Sequence, residues 1–130
     1  MVESHASQLE PWLLRVVPAS LPTGVVAFAF NLTESEQWLV DLVGASTYNT
    51  SDEDWACPPE AWTSAPDRLA LSRALAGQNW EAAQLYIVTS VHRFLCDSSS
   101  AQAATLRSAQ AVCAGFVDGN LQKVWPVDEA

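Results

Sequence analysis

His92 and Cys96 stand four residues apart, so on a helix both side chains leave the same face. A thiol beside an imidazole could hold a metal or form a nucleophile–base pair. A zinc site needs further ligands, and the sequence has no Cys-x-x-Cys or His-x-x-x-His to supply them. The structural reading is favoured: Cys96 covers the end of a helix, with His92 on its polar flank. Cys57 or Cys113 with His5 or His92 gives other conceivable pairs, since such sites are assembled in space. Cys113 lies in an apolar segment and reads as a buried, inert thiol. There is no Gly-x-Ser-x-Gly elbow, phosphate-binding glycine loop or His-Glu-x-x-His helix. No catalytic residue, metal ligand or cofactor is therefore assigned, and a non-enzymatic role is expected.

The run Asp52-Glu53-Asp54, with Glu60 nearby, has the oxygen donors of a hard-cation site. It lacks the alternating ligands and central glycine of a calcium loop, and three carboxylates in a row on a loop more often stay solvated. Recognition fits them better. Tyr48, Trp55 and Trp62 lie beside them, and aromatic anchors with steering charge are what interfaces use. The competing reading turns both tryptophans inward to pin the loop, and the two can coexist. The candidate partner-binding residues are Glu36, Asp41, Tyr48, Asp52, Glu53, Asp54, Trp55, Glu60 and Trp62.

The elements that position these groups follow from periodicity. Leu9, Trp12, Leu13 and Val16 obey helical spacing, which predicts a short helix over 7–17, with Pro11 tolerable only in its first turn. Over 24–32 the period becomes two, with Val26, Phe28, Phe30 and Leu32 on one face. Residues 33–36 have the length and polarity of a hairpin loop. The segment 37–43 alternates again, placing Trp38, Val40 and Leu42 together and Asp41 on a partly exposed face with Leu39 and Val43. Residues 45–66 form a long acidic, aromatic loop, and 68–74 reads equally as strand or helical turn. Asn79 caps a helix whose apolar stripe is Trp80, Ala83, Ile87, Val91, Phe94 and Leu95. A short helix over 101–107 and a second hairpin follow, with strands over 109–117 and 121–125 around Asp118-Gly119. The expected fold is α+β: a small, mainly antiparallel sheet of two hairpins with one main helix packed on one face.

With 130 residues, 49% of them hydrophobic and 16% charged, one domain over 1–130 is expected. Six Lys+Arg against fifteen Asp+Glu give a net charge of −9, and no basic residue occurs between Val16 and Asp67. Such a field repels phosphate backbones and attracts basic proteins, so direct nucleic-acid binding is not expected. No apolar run is long enough to span a bilayer, and the N-terminus lacks the basic and apolar regions of a secretory signal. Three irregularly spaced cysteines do not suggest a disulfide framework. A cytoplasmic protein that does not engage membranes is the simplest expectation. Oligomeric state is left open.

Four strings carry a family resemblance: Phe30-Asn31-Leu32, the run from Trp38 to Gly44, the run from Asp52 to Cys57, and the run from Gly115 to Leu121. In these patches, spread from about Ala27 to Trp125, the chain resembles small acidic proteins found beside bacterial polymorphic toxins. Those proteins are considered immunity proteins of toxin and contact-dependent inhibition systems, or relatives of them. The resemblance implies a bacterial immunity-like protein that binds and neutralises a toxin, without naming contact residues. A basic toxin such as a nuclease suits the charge. The alternatives are a small enzyme or ligand-binding domain with an unrecognised pocket, and a self-associating structural protein.

Overall fold

The computed structural model describes residues 6–48, 62–64, 67–116 and 122–125. Its first element is helix α1, Ala6–Val16. Leu9, Trp12 and Leu13 are fully buried, as the helical spacing requires. Pro11 lies beyond the first turn, contrary to the expectation. A proline there removes one intrahelical hydrogen bond. The burial of Leu9, Trp12 and Leu13 opposes that loss; each large apolar side chain contributes roughly 1.5–3 kcal/mol on burial.

The chain then turns at Gly24, whose φ of +87° suits glycine. Strand β1, Ala27–Glu34, therefore begins later than the alternation suggested. It pairs antiparallel with β2, Trp38–Ala45, from Ala27↔Ala45 to Glu34↔Trp38. The connecting turn is 35–37 rather than 33–36. Thr33 and Glu34 are polar, but a backbone ladder at a hairpin end accepts polar residues.

Two short strands share the outer edge of β2: β3, Trp62–Thr63, opposite Val43 and Gly44, and β4, Leu69–Leu71, opposite Trp38 to Val40. Helix α2, Arg73–Ala76, follows at once, so the ambiguous 68–74 segment is a strand and then a helical turn. Helix α3 is Trp80–Asp97, and α4 is Ala101–Ser108. Strand β5, Ala111–Phe116, runs parallel to β1, and β6, Gln122–Trp125, pairs antiparallel with β5. The order is β3-β2-β1-β5-β6, with β4 also on β2. The fold is α+β, and its two hairpins are joined by the parallel β1–β5 pair.

The core faces the side of the sheet that carries Phe28, Phe30, Leu32, Trp38, Val40, Leu42, Val112 and Ala114. Helix α3 lies on β5 and β6 and contacts both α1 and α4. Trp12 of α1 meets Phe30 with ring centroids 6.4 Å apart. On the other face Ala27, Ala29, Val43, Ala45, Ala111 and Cys113 are also buried. Val43 is thus more enclosed than expected, while Leu39 and Asp41 are half-buried. No helix among the described residues is long and apolar enough to cross a membrane.

Candidate interaction surface at the first hairpin turn

Arg73, the first residue of α2, organises the end of the first hairpin. Its Nη2 donates to the Ser35 carbonyl at 2.8 Å and to Glu34 Oε2 at 3.1 Å. Nε reaches the Glu36 carbonyl at 3.4 Å, and Nη1 reaches the Gln78 carbonyl at 3.3 Å. The guanidinium also sits 4.3 Å from the centroid of the Trp38 ring, within cation–π range. One cation thereby ties the turn to the chain that enters α3.

The tryptophan beneath it is fixed from the other side. Trp38 is fully buried, and its Nε1 donates to the Gly77 carbonyl at 2.8 Å. Gly77 has φ +117°, and a Cβ there would lie 2.3 Å from Ala82 Cβ, so only glycine fits. Phe116 meets Trp38 edge-on at 5.6 Å, and Trp80 meets Phe116 edge-on at 6.2 Å. These are favourable aromatic geometries. Trp80 was expected in the buried stripe of α3, yet it is 54% exposed. It occupies the first helical turn, where Phe116 covers one edge and leaves the rest to solvent. The remainder of that stripe is buried, and Tyr86 and Ser90 join it.

Of the candidate residues, Glu36 is exposed in the turn, and its carboxylate makes no ion pair among the described residues. Asp41 is half-buried, 3.8 Å from Arg68 Nε. Tyr48 is half-buried. Trp62 is half-buried and meets Phe28 edge-on at 6.1 Å, so it packs inward onto the core. Asp52, Glu53, Asp54, Trp55 and Glu60 lie outside the described residues, as does most of the 45–66 loop and the Asp118-Gly119 turn. Arg73 ties the turn that carries Glu36 to Glu34 and to the Gln78 carbonyl, two residues before Trp80, and the sequence reading assigned none of Arg73, Glu34 and Trp80 to a site. The signal for Trp80 was its place in the first helical turn beside the cap. Arg73 had no local signal.

Three acids of the basic-free stretch are met by the arginines at or just beyond its borders. Arg15 binds Asp67 through two hydrogen bonds of 2.8 Å, Arg68 faces Asp41, and Arg73 binds Glu34. The two hydrogen bonds from Arg15 hold the Asp67 carboxyl below its ordinary pKa, although partial desolvation opposes them. The stretch is therefore less uniformly anionic than its sequence implies.

His92 and Cys96 do share a helix face, with Sγ 3.6 Å from Nε2 and 3.8 Å from Nδ1. Among the described residues no group of three His, Cys, Asp or Glu is placed to hold a metal. Among the described residues no other hydrogen bond orients the imidazole, as a working nucleophile–base pair requires. Cys113 is buried in β5. Comparison with protein-family models, curated proteins and solved structures found no match to this chain.

Proposed function

We propose that this chain is a non-enzymatic, immunity-like binding protein of the bacterial cytoplasm that occludes a basic protein toxin through an acidic surface. The observation that carries the reading is the hairpin end. The exposed Trp80 packs edge-on on Phe116, which meets the Trp38 beneath Arg73. Arg73 also holds the turn bearing the exposed Glu36, which makes no ion pair among the described residues. A packed aromatic anchor and an exposed carboxylate on segments tied by one arginine suit a cationic protein surface, because little side-chain and loop freedom is lost on docking. The net charge of −9 adds long-range attraction to such a partner.

Co-expression with the product of the neighbouring gene tests this. The wild-type chain should protect cells and bind that product. Trp80→Ala should weaken binding by about 2 kcal/mol or more, roughly thirtyfold, by removing a central anchor. Glu36→Gln should chiefly slow association, by a few-fold. Absence of both protection and binding with the wild-type chain would refute the reading. The exposed Trp80 also supports a second reading, self-association, which a concentration-dependent mass in solution would reveal.

A further inference from the structure

Between α1 and the C-terminal half of α3 lies a cleft of about 150 Å³, lined by Leu9, Glu10, Ser90, Arg93, Phe94, Asp97 and Ser98. Pockets for whole metabolites usually enclose roughly 300–1,000 Å³. The cleft is well below that range, on the scale of one side chain rather than a whole metabolite.

Its chemistry is incomplete in one direction. Ser90 is only 5% exposed, and its hydroxyl has no hydrogen-bond partner among the described residues. Glu10 and Asp97 come from different helices, and neither forms an ion pair among the described residues. Asp97 also ends α3, whose last turn has no basic residue, so a carboxylate sits at the negative end of the helix dipole. Arg107 takes the carbonyls of Leu95 and Ser98 at 2.8 and 3.0 Å but makes no ion pair with Asp97. Leu9 and Phe94 supply apolar wall. Arg107 therefore already meets the α3 C-terminus, but among the described residues the buried Ser90 hydroxyl has no hydrogen-bond partner and neither carboxylate has an ion pair, and apolar wall lines the way to them.

We infer that this cleft receives a lysine side chain presented by a protein partner: its stem against Leu9 and Phe94, its ammonium shared by Glu10, Asp97 and Ser90. An ammonium has three donors on a compact head, whereas a guanidinium needs a planar fork of acceptors. The source is placed in a protein because the cleft is too small for a whole metabolite and its carboxylates suit a cationic side chain, and in this respect the inference rests on the protein-binding function proposed above. Arg93, exposed at the same cleft, is a like charge that weakens the site.

The test uses the isotope-labelled full chain and two neutral-backbone probes, N-acetyl-lysine-methylamide and its norleucine counterpart, followed by amide chemical shifts. The lysine probe should give saturable shifts at Leu9, Ser90 and Phe94, and the norleucine probe should not. Asp97→Asn and Glu10→Gln should each weaken the lysine probe about two- to fivefold, as for a partly exposed ion pair. Arg93→Gln should tighten it. No saturable shift with lysine, an equal response to norleucine, or a stronger response to acetate would each overturn the inference. The readout is the cleft itself, so its failure is separate from a failure of toxin protection in co-expression.

Discussion

Two buried tryptophans show how single residues set conditions here. Trp38 gives its indole N–H to the Gly77 carbonyl, whereas the Trp12 N–H, equally buried, has no partner within hydrogen-bond geometry among the described residues. An unmet buried donor costs roughly 1–3 kcal/mol. The nearest compensation is Asp67, whose carboxyl is lowered mainly by its hydrogen bonds from Arg15 and slightly further by the Trp12 N–H. With the folded-state pKa below the unfolded value of about 3.9, folded Asp67 binds protons less readily than unfolded Asp67. Its contribution is complete above that unfolded value and disappears as pH falls through the folded one. Asp67→Asn should therefore be less stable than wild type at pH 7 and approach it at pH 3, with urea midpoints as the measure. An equal gap at both pH values would remove the Arg15–Asp67 pair as a cause of acid sensitivity.

At the scale of elements, α3 owes its start to one side chain. Asn79 Oδ1 accepts the Ala82 N–H at 2.9 Å, with Glu81 in the first turn. Asn79→Ala should cost about 1 kcal/mol, and Asn79→Asp should keep nearly all of it, since aspartate caps as well and favours a helix N-terminus. Chemical denaturation of both variants checks this, and equal losses would mean that the hydrogen bond is not what matters. The cap, the α3 stripe and the first hairpin were legible because each is a local pattern: a polar residue before a period near 3.6, or alternation of period two. The parallel β1–β5 pair joins residues far apart in sequence and leaves no periodic trace. Strand β3 is only two residues long, too short for any period. The platform under Trp80 was hidden for the same reason, since Arg73 belongs with Glu34 and Trp38 only once β4 folds against β2. Glu36, by contrast, was legible because a polar turn between two alternating runs must face solvent.

At the scale of the whole molecule, the question is whether local ion pairs or the summed charge dominates. Three pairs bind acids of the basic-free stretch, but all include at least one exposed partner, and exposed pairs contribute little once solvated and screened. The net charge of −9 acts over longer distances and repels itself in the compact state. Raising NaCl from about 10 mM to 150 mM shortens the Debye length from about 30 Å to about 8 Å, which removes most of that repulsion and little of a contact pair. The melting temperature should therefore rise with NaCl at neutral pH. A fall would show that the arginine pairs outweigh the excess charge. The same field would attract the basic partner proposed above, so the salt that stabilises the free chain should slow that association. Opposite salt responses in stability and in association rate, measured on one preparation, would tie both to the excess of carboxylates rather than to any single contact.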